Sequence, residues 1–141
     1  MTKKAISGAV LIGYVFLTFY ITVFSRTYHA SQKHDFTPFW SYKAIQEGRD
    51  NLVIENFLNV LLFVPLGMLL CGTFRRIKWY QVLLMGLVLS IAIETLQYKM
   101  KLGFSEFDDV FHNVIGCLVG FVVYKAVSYH ITKRQNRSLT Y

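Results

Sequence analysis

The residues best able to do chemistry in this 141-residue chain are carboxylates and amides set in apolar surroundings. In LSIAIETLQYKM, Ser90, Glu94 and Gln97 stand at i, i+4 and i+7, so a helix would carry them as one polar stripe on an otherwise apolar rod. A carboxylate in hydrocarbon is costly to keep charged, so Glu94 needs a partner, a wet pocket or a proton. Those are the conditions for proton transfer, for holding a cation or for meeting a polar headgroup. NFLNVLLFVPLGMLL adds Asn56 and Asn59 at the start of a second run, and EFDDVFHNVIGCLVG adds Asp109 and Asn113 at the start of another. Glu94 and Asp109 are the candidates for acid-base catalysis, because two carboxylates sharing one dry pocket titrate in separate steps. Glu106, Asp109 and His112, three residues apart, form a weak candidate metal set together with Glu94. No established metal motif has this spacing, so solvated loop charges and a helix-cap histidine are the expectation, and no metal or other cofactor is expected. The chain has no CxxC pair, phosphate-cradling glycine loop or G-x-S-x-G elbow.

The elements that must position these groups are apolar helices. Hydrophobic residues make up 54% of the chain and charged residues only 16%, which favours one compact membrane unit over a soluble domain. Runs at 5–24, 56–74, 80–98 and 110–127 are each about 20 residues long, the length that crosses a hydrocarbon core of ~30 Å as a helix. The expected fold is therefore all-α, an integral membrane bundle of four transmembrane helices forming a single domain over residues 1–141. The first run exceeds a usual signal-peptide core and lacks a good cleavage site, so it is read as a retained helix.

Nine of the fifteen Lys and Arg fall on the side of the termini and of the turn near residue 76, a side that carries no Asp or Glu. The positive-inside rule then puts both termini in the cytoplasm, with outer loops at 25–55 and 99–109 and a frayed, lipid-attracting tail at 128–141. The net charge of +7 is on this reading a topology signal, and nucleic acid is not an expected partner. Pro65 lacks an N–H and should kink its helix; Gly67, Gly116 and Gly120 permit close helix packing. Cys71 and Cys117 read as small buried residues with no disulfide between them. By depth, Asn56, Asn59, Glu94, Gln97, Asp109 and Asn113 would share one level, with Ser90 one turn below Glu94, and line an outward-facing polar pocket.

HDFTPFWSYKAI, NFLNVLLFVPLGMLL, SIAIETLQ and EFDDVFHNVIGCLVG, in this order between four spans, resemble the VanZ-like membrane proteins over residues 5–127. The resemblance carries over Pro38, Phe39, Asn59, Phe63, Pro65, Gly67, Ser90, Glu94, Gln97, Asp109, Asn113, Gly116 and Gly120. It departs in LGFSEFDD, which lacks the Arg many members have before the acidic pair; Lys99, Lys101 or Arg26 would have to serve instead. The resemblance implies a protein of the bacterial cytoplasmic membrane and a link to teicoplanin-type glycopeptide resistance, without implying a reaction. Joined to the residue reading, it makes a non-enzymatic binder or screen of an amphiphile the first expectation: a membrane lipid headgroup, a lipid-linked wall precursor or a lipoglycopeptide. The alternatives are an enzyme acting on a lipid headgroup through Glu94 and Asp109, and a structural subunit or homo-oligomer assembled through the fourth helix.

Overall fold

The computed structural model describes residues 3–24, 33–102 and 104–138. Its elements in order are α1 (Lys3–Phe19), which runs into a π turn (Tyr20–Phe24), β1 (Lys33–Asp35), α2 (Trp40–Gln46), α3 (Asn51–Thr73), α4 (Trp79–Met100), β2 (Phe104–Glu106) and α5 (Phe107–Ser138). Four helical stretches, Lys4–Phe24, Asn51–Thr73, Trp79–Met100 and Phe107–Arg137, are long and apolar enough to cross a membrane. Their outward faces are apolar, as at Phe16, Val88 and Val122, while Ser90, Gln97, Asp108 and Asn113 are buried inside. That inversion suits a bundle whose surroundings are hydrocarbon.

Two helices outrun their hydropathy. α3 starts at Asn51, more than a turn before the expected span, in a segment where Asn51 Nδ2 donates to Glu55 Oε1 over 3.3 Å. α5 is 32 residues long, ~48 Å at 1.5 Å per residue, so it extends well beyond a ~30 Å core. The expected frayed tail is therefore helical through Ser138. Its Lys, Arg and Gln are good helix formers, and neither Gly nor Pro interrupts them. Hydropathy marks the membrane, not the end of the helix.

The seam between α3 and α5 is the closest in the molecule. A Cβ added at Gly67 would fall on the Cys117 carbonyl oxygen, one at Gly116 on that of Val60, and one at Gly120 on that of Val64. On the α4 side, Cys117 Sγ would stand 2.7 Å from a Cβ added at Gly86. Both cysteines are free and buried. The glycine face of the fourth helix is thus covered by α3 of the same chain. α3 continues as a helix through Pro65; nearby, Tyr14 Oη donates to the Leu62 carbonyl over 2.7 Å and ties α1 to α3.

α1 ends in the π turn where two threonines bond back along the helix: Thr18 Oγ1 to the Tyr14 carbonyl at 2.9 Å and Thr22 Oγ1 to the Thr18 carbonyl at 2.7 Å. Such back-bonding competes with the helical ladder and bends helices. The all-α expectation missed two three-residue strands: β1 pairs with β2 in parallel, His34 opposite Ser105 and Asp35 opposite Glu106. A parallel pair needs a long crossover, here supplied by α2, α3 and α4 together. The two loops at this end of the bundle are therefore one structure.

Candidate functional site

The polar residues meet at the loop end, but in pairs rather than around one open pocket. Asn59 Nδ2 on α3 donates to Asp109 Oδ1 on α5 over 2.6 Å, and Asn113 Nδ2 on α5 donates to Ser90 Oγ on α4 over 2.8 Å. Gln97 turns away to α1, donating from Nε2 to the Thr22 carbonyl over 2.7 Å. Glu94 points to the second loop: its Oε2 accepts the Glu106 backbone N–H at 3.0 Å, and its carbonyl accepts Ser105 Oγ at 3.2 Å. Asn56 donates from Nδ2 to Ser41 Oγ at 3.2 Å. Each amide or carboxylate thus satisfies a neighbour's buried polar group, which hydrocarbon surroundings make obligatory.

The centre of this network is Asp108. Its carboxylate is fully buried and accepts three neutral donors: the Phe39 N–H at 2.6 Å, the Ser41 N–H at 2.9 Å and Ser41 Oγ at 2.6 Å. Phe39 occupies the N-cap position of α2 in the left-handed region, at φ 61°, and has no side-chain oxygen to cap the helix. Asp108 supplies that cap from α5. Its hydrogen bonds offset the strain of a non-glycine residue at positive φ, about 1 kcal/mol or more. The group that stands against Asp108 is thus a helix start and a hydroxyl; Arg26, one of the expected substitutes for the missing arginine, lies outside the described residues.

His112 is buried within α5 and shares a 2.8 Å hydrogen bond through Nε2 with Tyr42 Oη, so it is not a helix-cap histidine. Glu106 is not a freely solvated loop charge either: Oε2 accepts Trp40 Nε1–H at 3.1 Å. Among the described residues, no group of three or more His, Cys, Asp or Glu is placed to hold a metal ion. Glu106 has its pKa pushed up to about 8, first by burial, then by the charge of Asp109, with Glu94 and Glu55 adding to it against the Trp40 hydrogen bond. Near neutral pH it therefore carries its proton much of the time.

One cleft of about 230 Å³ opens on this region, lined by Glu94, Ser105 and Glu106 together with Phe36, Ile91, Thr95, Tyr98, Phe107 and Val110. Asn59 borders a separate cleft of about 460 Å³ with Tyr14, Ile21, Thr22 and three leucines. Gln97 Oε1, His112 Nδ1 and Asn113 Oδ1 are buried without a protein hydrogen-bond partner. The sequence reading missed Ser41, Trp40, Tyr42 and Asp108 as members of the network. Its one available signal was TPFWS, a turn followed by a short aromatic helix inside a stretch read as loop.

Four membrane-crossing helices capped by a loop structure that is hydrogen-bonded into their polar layer define a small polytopic membrane protein. The chain belongs to the VanZ/LLP1 family, whose model matches residues 11–128. It is similar to Protein VanZ of Enterococcus faecium, 24% identical over 139 residues that cover 94% of this chain and 81% of that protein. No solved structure matches it.

Proposed function

We propose that this VanZ-like protein sits in the bacterial cytoplasmic membrane with both termini inside and binds or screens an amphiphile at its outer end. The observation that carries this reading is the 230 Å³ cleft, a mainly apolar and aromatic space that Glu94 and Glu106 also border. Such a cleft matches an amphiphile whose polar part donates hydrogen bonds, an amine or a set of hydroxyls, beside a lipid-like part. A neighbouring group of acidic residues disfavours a densely anionic headgroup. Similarity to Protein VanZ supports a role in teicoplanin-type resistance, where a lipid-bearing glycopeptide meets the outer leaflet.

The test expresses the chain in a teicoplanin-sensitive host. Glu94→Gln keeps the shape and one acceptor and removes the charge. It should insert at wild-type abundance yet lose the tolerance that the wild type confers, while Leu87→Ala in the same helix retains it. Glu94→Gln with wild-type abundance and tolerance would sink the reading. A second reading, catalysis on a lipid headgroup, is favoured by one observation: Glu106, with a pKa of about 8 beside Glu94, suits a general acid working near neutrality. Catalysis predicts a changed headgroup composition in membranes that contain the protein; binding predicts none.

A further inference from the structure

At the opposite end of the bundle, α1 and α4 stand apart. α1 packs along α3, and its π turn reaches α4, with the Gln97 bond to Thr22 at that contact. Toward the chain termini the space between α1 and α4 is open. It holds a cleft of about 1060 Å³ whose rim carries Lys4, Arg75 and Arg76 and whose floor includes Ile77, Gln81 and Met85. Below it lies an apolar groove of about 420 Å³ between Leu11 and Val15 of α1, Leu66 and Leu70 of α3, and Val88 and Ala92 of α4. Met85 lines both spaces, so they adjoin at its side chain.

Local structure explains why the cations face out. Phe74 N–H closes on the Leu70 carbonyl at 2.8 Å and Ile77 N–H on the Phe74 carbonyl at 2.8 Å, while Ile77 itself is buried. Anchored on both sides, the tight turn presents Arg75 and Arg76 on its exposed surface. Ser7 Oγ and Thr73 Oγ1, 2.9 Å apart, hold the start of α1 beside it and so keep Lys4 at the same rim. From Gln81 to Ala92 the wall of α4 runs ~16 Å at 1.5 Å per residue, close to the ~15 Å depth of one hydrocarbon leaflet. A cationic rim over an apolar channel of one leaflet's depth has the polarity profile of a phospholipid.

We propose that an anionic diacyl phospholipid seats between α1 and α4 at the end of the bundle that carries the termini. Its phosphate meets Lys4, Arg75 and Arg76, and one acyl chain lies in the groove beyond Met85. Three cations around one space select charge, and the groove selects a chain over a soluble phosphate. This site is separate from the loop-end cleft, and its test does not involve Glu94.

The full-length protein, purified in detergent, is incubated with dioleoyl phosphatidylglycerol or dioleoyl phosphatidylcholine, and bound lipid is counted by native mass spectrometry. The wild type should retain the glycerol lipid over the choline lipid. The triple variant K4Q/R75Q/R76Q should retain about tenfold less, with helical content unchanged by circular dichroism. K133Q/R134Q/R137Q, an equal loss of charge in the α5 extension, should retain as much as wild type, and K4R/R75K/R76K should as well. Ala92→Phe, which fills the groove and leaves the cations, should also lower retention. Equal losses from both charge-removing triples would mean diffuse attraction, and unchanged retention in Ala92→Phe would mean that no chain enters the groove. Displacement of the lipid by glycerol 3-phosphate at equal concentration would mean that only the headgroup is held. Any of these three results overturns the proposal.

Discussion

Glycine does opposite things in α5 and in α1. At Gly116 an added Cβ would strike the Val60 carbonyl oxygen and come within 2.8 Å of Phe63 Cβ, whereas at Gly13 nothing lies within 4 Å. The residue type is the same and both helices are apolar, so the difference is one of partners. α5 presents its glycines to the backbone of α3, and α1 presents Gly13 to the surroundings. The same contrast runs through the polar groups. On α3 and α5, Asn59 holds Asp109, and Asn56 reaches Asp108 through Ser41. α1 is tied by Tyr14 and Ser7 near its middle and start, with open space toward α4. The α3–α5 pair is the close-packed frame, and α1 is the element beside which the fold leaves space.

The largest test of this contrast is steric. Gly116→Ala has to force two backbones apart and should cost about 2–3 kcal/mol in reversible detergent unfolding, whereas Gly13→Ala should lie within ~1 kcal/mol of wild type, toward greater stability. Equal costs at the two positions would erase the distinction between frame and perch. Next is the Asp108 cap. Asp108→Asn keeps the shape but gives up charge-assisted acceptance from three donors, for a loss of about 2 kcal/mol. α2 should loosen first, seen as a change in Trp40 fluorescence in a Trp79→Phe background, before the transmembrane helices respond. Cooperative loss of the whole bundle would show that α2 belongs to the frame.

The most local effect is a pH dependence confined to the loop end. The Glu106 pKa is raised from 4.5 to about 8 in the folded protein, so between those values the native state binds more protons than the unfolded state. Its contribution is fully present below about pH 4.5 and is lost as pH rises through about 8. Trp40 fluorescence should follow this titration through the bond to Glu106, and Glu106→Gln should flatten it. A titration that persists in that variant would have to arise from another group.

The four crossings were legible in the sequence because hydrocarbon imposes a one-dimensional rule: about 20 apolar residues per helix, whatever their neighbours. The close-packing glycines and the depth of Asn59, Glu94 and Asp109 could be read for the same reason, since position along a helix converts directly into height. Partnership could not. Two adjacent aspartates look alike in EFDDVF, and only the fold sends Asp108 to the start of α2 and Asp109 to Asn59. The strand pair, the short α2 and the turn of Gln97 toward Thr22 join residues distant in the chain through backbone groups. Every residue but proline carries those same groups, so sequence cannot distinguish them. Hydropathy decided which segments cross; the pairing of buried donors with buried acceptors decided what meets at the end.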